Sequence, residues 1–386
     1  MSGFNLKKIC SKNIEKELAS IGFESSYIAQ GAQKYKYQNI KIFGLTLPQA
    51  NILKQTALSV GADCAVHRDI LTAQIKFSDC ILGGSFSQIK KIAEKLKFQP
   101  FSMKNLANEL ENLIFENTKI FPKIFGILNV TKNSFSDGGK FYDYEMAIEH
   151  LNKLIQNGAD VIDIGAESTK PFSHGVTAEE QLKVLEPILN YINEHNITVP
   201  ISIDTRSSVV AKRVIELGVS VINDVSGLEY DVDMINVCAK SNVNLIIQHS
   251  QGSPESMQIN PHYQNPVDDI FNSLKRKIEF AEQNGIEKKR IIIDLGIGFG
   301  KTREQNFELL ARVDEFKSLG CKVMLGTSRK SLLNMQEADN DEKDVFTLVL
   351  NTIALENNVD YLRVHNVELN KKLLSLYEAY AEAIMN

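Results

Sequence analysis

The sequence lacks any segment of the kind that crosses a membrane or directs a chain into one. Nowhere in its 386 residues do about 18 apolar residues, the length of a membrane-spanning helix, follow one another without a charge. The first twenty residues also contain no apolar stretch of the length found in secretory signal peptides. We therefore expect a cytoplasmic protein without a membrane partner.

An excess of positive charge is missing as well. Lys and Arg together number 43 against 48 Asp and Glu, a formal net charge of −5, and no block of lysines and arginines stands anywhere in the chain. Proteins that bind nucleic acids or anionic membranes usually carry such a basic patch. The composition therefore disfavours nucleic acid as a partner.

Cysteine and histidine are scarce and scattered. The five cysteines include no C-x-x-C pair, and the seven histidines include no H-E-x-x-H spacing. We interpret the cysteines as reduced structural thiols and expect no transition-metal site built entirely from protein side chains. Any metal should be a hard ion that arrives with a substrate. The cysteines are Cys10, Cys64, Cys80, Cys238 and Cys321.

The chain changes character near Phe121 and Pro122. Before this point it has short apolar runs, helical patterns over 48–60 and 87–96, and no concentrated functional motif, which predicts a small α/β or α+β domain. Residues 102–117 are predicted to form a linking helix, because apolar residues recur there at helical spacing. We predict an N-terminal accessory domain over 1–118, packed against the rest of the chain or a second subunit, and a catalytic domain over 119–386.

Beyond the boundary, a unit of strand, loop and helix repeats eight times. The predicted strands cover 124–130, 161–164, 201–203, 221–223, 243–247, 291–293, 323–325 and 361–364. Predicted helices follow them, for example over 145–157, 178–194, 207–217, 266–284 and 304–319. Eight such units in about 265 residues match a (β/α)8 TIM barrel better than an open doubly wound sheet. The predicted fold is therefore a TIM barrel preceded by a smaller domain.

Polar side chains stand at the end of every predicted strand. They are Asn129, Asp163 with Glu167, Asp204, Asn223 with Asp224, His249, Asp294, Ser328 to Lys330, and Arg363 with His365. Each alone could be a helix cap or a turn former. TIM barrels, however, carry their active sites at the carboxyl ends of the strands. Eight such positions together predict a site at that rim.

The segment IIIDLGIGFGKT, residues 291–302, looks like a strand followed by a phosphate loop but matches neither glycine pattern. The P-loop pattern needs a glycine where the chain has Leu295, and the dinucleotide pattern fails because Gly296, Gly298 and Gly300 alternate. We interpret these glycines as letting a flat ligand approach the backbone, with Phe299 available for stacking.

Seven strings in this part of the chain closely resemble the bacterial dihydropteroate synthase family. They are FGILNVTKNSFSDGG (125–139), DIGAESTKP (163–171), ISIDT (201–205), INDVSG (222–227), IIDLGIGFGK (292–301), GTSRKS (326–331) and RVHNV (363–367). The resemblance covers residues 122–386 and implies a pterin-binding barrel of folate biosynthesis. Such an enzyme condenses 6-hydroxymethyl-7,8-dihydropterin diphosphate with p-aminobenzoate, releases diphosphate and is a sulfonamide target. The resemblance also implies a homodimer formed through barrel helices.

The resemblance assigns roles to individual residues. Pterin binding falls to Asp204, Asn223, Asp294 and Lys330, whose carboxylate, amide and ammonium groups suit the polar edge of a pterin. Diphosphate binding falls to Asn129, Thr169, Arg363 and His365, and Asn129 would also offer an oxygen ligand to Mg²⁺. Contacts with p-aminobenzoate fall to Phe135, Thr169, Pro171, Phe299 and Ser331. The implied catalytic residues are Asp204, Asp294, Lys330 and Asp137.

The resemblance further implies a dissociative, SN1-like substitution. As the C–O bond to diphosphate breaks, positive charge spreads into the dihydropterin ring, where Asp204 and Asp294 can stabilise it. Two loops, 131–140 and 167–176, should close over the substrates. Asp137 on the first of them is a candidate to contact Mg²⁺ or the cation.

Some positions depart from the family pattern. Lys132 and Asn133 stand where the family has a proline followed by Asp or Asn, Lys170 replaces an arginine, Phe172 a glycine, Ser250 a methionine, Leu295 a proline and Asn366 an aspartate. Slower catalysis or altered sulfonamide affinity could follow, but the pterin ligands are intact. Two other classes stay open: a pterin-binding methyltransferase that serves a corrinoid partner, and a non-catalytic paralogue that only binds. The D-x-H-x-x-G motif of a corrinoid-binding domain is absent from this sequence.

Overall fold

The computed structural model describes residues 6–9, 13–70, 72–113, 121–130, 139–167, 175–251, 261–330 and 338–385. The chain divides into two compact units, one of Met1–Thr118 with Glu382–Asn386 and one of Lys119–Ala381. Among the described residues, no helix combines the length and the apolar composition needed to cross a membrane.

The first unit is an α+β structure around a three-stranded antiparallel sheet in the order β1-β3-β2. Its elements are α1 (Ile14–Ser20), α2 (Ile28–Ala32), β1 (Tyr37–Thr46), α3 (Leu47–Leu58), β2 (Asp63–Val66), β3 (Phe77–Ser85), α4 (Phe86–Leu96) and α5 (Met103–Leu113). Residues along the first half of β3 are alternately exposed and buried, so one face of the sheet packs on a core that includes Leu53, Leu82 and Ile89. A small α/β or α+β domain was the prediction, and the α+β form is the one observed.

Helix α5 corrects one expectation. We predicted a linking helix over 102–117, but Met103, Ala107 and Leu110 are buried in the core of the first unit. These positions recur at intervals of three and four, so one face of the helix packs inward. The described part of this helix is therefore a core element of the first unit rather than a linker.

The second unit is a closed barrel of eight parallel strands in sequence order, with β11 beside β4 and β10 beside β9. The strands are β4 (Lys123–Asn129), β5 (Val161–Gly165), β6 (Ile201–Asp204), β7 (Val221–Asp224), β8 (Asn244–Gln248), β9 (Ile291–Asp294), β10 (Lys322–Leu325) and β11 (Tyr361–Val364). The helices are α6 (Gly139–Gln156), α7 (Ala178–Glu194), α8 (Ser208–Glu216), α9 (Met234–Ala239), α10 (Pro266–Gln283), α11 (Arg303–Ala311), α12 (Asn340–Glu356) and α13 (Val367–Met385). The predicted TIM barrel is confirmed, and all eight strands lie within one or two residues of their predicted bounds.

The segment predicted as one helix over 304–319 is two elements. Helix α11 ends at Ala311, and a 3-10 helix covers Val313–Leu319. The buried residues of the second piece are Val313, Phe316 and Leu319, a spacing of three that aligns side chains in a 3-10 helix rather than an α-helix. Arg312 at the junction pairs with Glu308 and Glu315.

The described cysteines Cys64, Cys80, Cys238 and Cys321 are buried free thiols, as expected. Cys10 lies outside the described residues.

Candidate active site

The side chains that line the barrel interior change from mostly apolar to mostly polar over two residues along the strands. Phe125, Val161, Val221, Ile246, Ile292 and Met324 form a separate buried cluster, with Tyr361 packed against it, that fills the lower interior. Side chains two residues further along a strand point the same way. Five of these seven positions are polar, namely Asp163, Asn223, Gln248, Asp294 and Arg363, and the other two are Ile127 and Gly326. On β6, Asp204 follows Ser202 by two residues and adds a sixth polar group. The carboxyl end of the barrel is therefore lined by polar groups.

Arg363 joins carboxylates from two strands across this interior. Its Nε donates to Asp163 Oδ2 at 2.6 Å, and its Nη2 donates to Asp204 Oδ2 at 2.8 Å. Asn223 Nδ2 also donates to Asp163 Oδ2, at 3.2 Å. Asp163 Oδ1 is buried and has no hydrogen-bond partner among the described residues, so one acceptor stays available.

Asp163 is a central residue to which sequence reasoning assigned no role. It appeared only as one polar residue at a strand end. The signal that could have identified it is the alternation of the strand, because Asp163 shares the inward face with Val161 of the interior cluster.

Asn129 and Asp204 approach each other over a glycine. The register pairs Asn129 with Gly165, Gly165 with Asp204 and Asp204 with Asn223 on successive strands. A Cβ atom added at Gly165 would lie 3.6 Å from Asn129 Oδ1 and 3.8 Å from Asp204 Oδ2. The missing side chain at Gly165 therefore leaves a space that both oxygens border.

Asp294 and Lys330 lie on the neighbouring part of the ring. Asp294 Oδ1 accepts from the Gly296 N–H at 2.7 Å, and Lys330 Nζ donates to the Ile297 carbonyl at 2.7 Å. The Lys330 ammonium also lies 3.9 Å from the centre of the Phe299 ring, a cation–π contact. A Cβ at Gly326 would lie 3.8 Å from both Asp294 Oδ2 and Arg363 Cβ, which brings the Asp294 and Arg363 side chains together.

None of the three pterin candidates with acid or amide groups is a helix cap. Ser207 caps α8, Thr302 caps α11, and Asp233 occupies the cap position of α9 without a side-chain bond. Asp204, Asn223 and Asp294 instead point into the barrel. The alternative interpretation of these three residues as helix caps is therefore wrong.

Burial shifts the charges of the site. It raises the pKa of Asp204 to about 7 even though the guanidinium of Arg363 lowers it, and it raises the pKa of Asp294. Burial lowers the pKa of Lys330 to about 8, with the carboxylate of Asp294 acting in the opposite direction. Asp204 and Lys330 thus titrate near neutral pH, and the pKa of Asp294 is raised as well; such shifts are typical of functional sites.

His365 is buried beside Ser328. The ring Nδ1 of His365 lies 3.0 Å from Ser328 Oγ, and the backbone N–H of His365 donates to the same oxygen at 3.1 Å. Burial and the charges of Arg329 and Arg363 lower its pKa to about 3, so the imidazole is neutral at physiological pH. Both predicted diphosphate ligands at the end of β11 thus differ from free cations, because Arg363 is paired with carboxylates and His365 is uncharged.

A network behind the rim was not foreseen. Arg329, which has a left-handed backbone (φ 56°), donates from Nε and Nη2 to the two oxygens of Asp344 at 2.8 Å each. Asn366 Nδ2 donates to Asp344 Oδ2 at 3.0 Å. An aspartate at 366, the usual residue of the family pattern, would repel Asp344, so this network explains why the chain carries an amide there. No local pattern around Asp344 could have predicted this contact.

A second unforeseen pair lies at the ends of β5 and β6. Arg206 Nη2 is 2.6 Å from Glu167 Oε1, and its guanidinium stacks on the Tyr230 ring at 4.1 Å from the ring centre. A Cβ at Gly175 would contact Arg206 Nη2 at 3.3 Å, so the Arg206 guanidinium lies close to both Glu167 and Gly175.

Five predicted site residues lie outside the described residues: Phe135, Asp137, Thr169, Pro171 and Ser331. Most of the two predicted loops, 131–138 and 168–174, falls there as well. No group of three His, Cys, Asp or Glu residues that could hold a metal is found within the described ranges.

Comparison with known proteins places this barrel among characterised relatives. A family model described as pterin binding enzyme matches residues 125–365. The chain is 42% identical over 253 residues to the dihydropteroate synthase of Clostridium beijerinckii, covering 64% of this chain and 90% of that protein. A crystal structure of dihydropteroate synthase from Clostridium difficile, obtained in the presence of pteroic acid, superimposes with a TM-score of 0.63 at 35% identity, covering 69% of this chain and 99% of that one.

Other relatives are bifunctional. The chain is 31% identical over 382 residues to the bifunctional dihydropteroate synthase/dihydropteroate reductase of Helicobacter pylori, covering 98% of this chain and 99% of that protein. It spans only 41% of the probable bifunctional folylpolyglutamate synthase/dihydropteroate synthase of Haloferax volcanii, at 33% identity over 346 residues.

Proposed function

The chain belongs to the dihydropteroate synthases of the pterin-binding enzyme family, and we propose that its barrel is a transferase that makes 7,8-dihydropteroate. The substrates are 6-hydroxymethyl-7,8-dihydropterin diphosphate and p-aminobenzoate, and the pathway is folate biosynthesis. The observation that carries this proposal is the buried ring formed by Asp163, Asp204, Asn223 and Asp294 at the rim where TIM-barrel chemistry lies.

The ring suits the polar edge of a pterin. The 2-amino group and the ring N–H of the pterin are donors that need buried acceptors. Asp163 Oδ1 is a buried acceptor without a partner among the described residues. Asn223 can both donate and accept. Lys330 supplies a donor for the 4-oxo group from the Asp294 side of the ring.

The same carboxylates can stabilise the reacting carbon. When the C–O bond breaks, its electron pair leaves with diphosphate, and positive charge develops on the methylene and the ring. Asp204 and Asp294 lie in a buried environment in which their negative charge acts strongly on such a cation. The amine nitrogen of p-aminobenzoate then forms the C–N bond and loses a proton. Phe299 lies against Lys330, where it can pack on the aryl ring.

Mg²⁺ fits this site as an ion that arrives with diphosphate. Asn129 Oδ1 is a hard oxygen ligand at the rim and, like Asp204 Oδ2, borders the space beside Gly165. No three-residue acidic cluster accompanies it among the described residues, so diphosphate oxygens and water would supply the other ligands. When bound, the ion would neutralise charge on the leaving group.

Steady-state release of diphosphate by the purified protein tests the proposal. Wild type should turn over with both substrates, and Asp204→Asn should lower kcat/KM at least about tenfold, roughly 1.4 kcal/mol of transition-state stabilisation. Asp160→Asn is the matched control, because Asp160 pairs with Lys371 before β5, at the opposite end of the barrel. Pterin binding without turnover would favour the non-catalytic paralogue, and methyl transfer to a corrinoid would favour the methyltransferase.

Removal of Mg²⁺ tests the role of Asn129. EDTA should reduce diphosphate release, and Asn129→Ala should raise the Mg²⁺ concentration needed for half-maximal rate. If release is unchanged without Mg²⁺, the assignment of Asn129 is wrong.

A dihydropteroate reductase activity is a second candidate function. The relative from Helicobacter pylori with that second activity aligns with almost all of this chain and has almost no additional length in which to house it. Reduction of 7,8-dihydropteroate to the tetrahydro form consumes a hydride and a proton, so a reduced nicotinamide or flavin must supply the electrons.

Oxidation of NADH or NADPH, followed at 340 nm with 7,8-dihydropteroate and added flavin, tests this second activity. Asp204→Asn should retain it if the two sites are separate. Absence of any substrate-dependent oxidation by wild type would contradict it.

We also propose a cytoplasmic homodimer. Unpaired thiols at all four described cysteines are typical of a reducing compartment. Helices α12 and α13 are neighbours, joined by the bond from Tyr377 to Glu356 at 2.9 Å. Both expose apolar side chains, Val345 and Val349 on α12 and Leu376 and Tyr380 on α13, each more than half exposed. A second copy covering these faces would remove that apolar surface from water.

A further inference from the structure

A buried lysine that the proposed chemistry does not use lies behind the loop that follows β9. The side chain of Lys301 is 3% exposed. Its Nζ donates to the carbonyls of Gly296 and Phe299 at 2.9 Å each and to the His249 carbonyl at 3.3 Å. It also lies 3.2 Å from His249 Nδ1. Four acceptors from two loops therefore surround one ammonium group.

These acceptors converge because the two loops pack backbone against backbone. Gly296 has a φ of 64°, and a Cβ there would lie 1.9 Å from the His249 carbonyl oxygen. A Cβ at Gly300 would lie 2.8 Å from the Gln251 carbonyl oxygen. Buried carbonyls that face each other without a donor are costly. The Lys301 ammonium donates to the carbonyls of His249, Gly296 and Phe299 and so stabilises this loop conformation.

His249 is an acceptor rather than a second cation. Burial, followed by the charges of Lys301 and Lys277, lowers the pKa of His249 to about 2. The neutral imidazole can therefore accept at Nδ1 from Lys301. The contact links the end of β8 to the loop after β9.

The loop held by Lys301 carries groups of the synthase site. Its Gly296 N–H donates to Asp294, its Ile297 carbonyl accepts from Lys330, and its Phe299 ring lies beneath the Lys330 ammonium. Lys301 binds the carbonyls of Gly296 and Phe299, on either side of the carbonyl that binds Lys330. Displacement of the loop would therefore move the Phe299 ring and the Lys330 ammonium together.

We propose that Lys301 is a positioning residue for the synthase reaction, holding residues 295–300 so that Phe299 faces p-aminobenzoate and Lys330 keeps its place beside Phe299. This inference rests on the proposed function. It predicts a larger effect on p-aminobenzoate than on pterin, because the proposed pterin ligands also include Asp163, Asp204 and Asn223, which lie on β5, β6 and β7 outside this loop.

Lys301→Met, which keeps the length of the side chain and removes its donors, tests the inference in the full-length protein. We expect kcat/KM for p-aminobenzoate to fall at least tenfold, while the Kd of the pterin diphosphate, measured by isothermal titration, rises by a clearly smaller factor, because Asp163, Asp204 and Asn223 still hold the pterin. Lys317→Met is the matched control: Lys317 is a largely buried lysine that pairs with Asp360 before β11, at the other end of the barrel. It should lower Tm without changing either constant.

The route through Phe299 is tested by a double-mutant cycle. If Lys301 acts by placing the Phe299 ring, Phe299→Ala and Lys301→Met combined should cost little more than the larger single loss. Losses that multiply, or a Lys301→Met enzyme with unchanged kinetics, would overturn the inference. Equal weakening of pterin and p-aminobenzoate binding would overturn it as well, since that result indicates general loss of structure.

Binding of pteroic acid separates this inference from the synthase assignment. If wild type releases no diphosphate, the proposed function fails. The Lys301 inference is then judged by pteroic acid titration alone, where at least a tenfold weaker Kd in Lys301→Met supports it and an unchanged Kd refutes it.

Discussion

At the level of single residues, burial sets the charge state of the barrel mouth. Asp204 and Lys330 are both removed from water, so each has a pKa displaced toward neutrality. The proposed chemistry uses Asp204 as an anion and Lys330 as a cation. Each residue therefore limits activity at one side of a narrow pH range.

We expect a bell-shaped dependence of kcat/KM on pH. Asp204 is ionised only above its raised pKa, so activity should increase through pH about 7. Lys330 is protonated only below its lowered pKa, so activity should decrease above pH about 8. Asp204→Asn should change the midpoint of the acid limb, because Asp294 then remains as the anion with a raised pKa, and should leave the alkaline limb. An acid limb with an unchanged midpoint in this variant would contradict the assignment.

Asn366 offers a second prediction at this scale. Asn366→Asp places a second carboxylate against buried Asp344, so we expect a loss of about 2–4 kcal/mol in the free energy of unfolding. Asp344→Asn in the same chain removes the repulsion and should restore most of the stability. Urea denaturation of both single variants and the double variant measures the coupling. Additive losses would show that the pair does not interact.

At the level of elements, the backbone conformation of the loop after β9 is determined by the residues packed against it. Its glycines were interpreted as space for a flat ligand. The structure instead gives each a protein neighbour: His249 for Gly296, Lys330 for Gly298 and Gln251 for Gly300. All three have positive φ, the region that residues with a side chain rarely adopt.

Gly296→Ala should therefore be strongly destabilising. The added Cβ would meet a backbone oxygen at 1.9 Å in addition to the strain of the positive φ, and we expect about 2–4 kcal/mol. Gly285→Ala is the control, because Gly285 also has a positive φ of 93° but nothing within 4 Å of the added atom. It should cost about 1 kcal/mol. Equal losses in urea denaturation would contradict the steric argument.

At the level of the whole molecule, the chain combines a barrel with a smaller first unit. The barrel aligns with relatives that lack the first unit, whereas the full chain aligns with a bifunctional relative. The predicted boundary at 118 stays a prediction, as does the role of residues 1–118. A truncated chain over 119–386 that stays soluble and fully active as a synthase would reject an essential role for them in that reaction.

If the protein is a homodimer, a variant with a disrupted interface should sediment with half the mass of the wild type. Val349→Glu places a charge on the exposed stripe of α12 and should convert dimer to monomer in sedimentation equilibrium. Val209→Glu on α8 is the control, because Val209 is similarly exposed on a helix outside the proposed interface. A wild-type monomer would reject the proposal outright.

The sequence by itself determined the barrel and the positions of its polar rim. Strand and helix periods are local properties, and a polar residue after an apolar run is visible without any tertiary contact. Asp204, Asn223, Asp294 and Lys330 could therefore be named, and the motifs around them identified the family.

Only the tertiary structure decided how those residues are paired. Arg363 joins Asp163 and Asp204, which are 200 and 159 positions away in the chain. Asp344 meets Asn366, and Lys301 meets His249, across similarly unrelated segments. Burial, and with it the pKa of each group, depends on closure of the barrel, because desolvation arises from the whole surrounding structure rather than from neighbours in sequence.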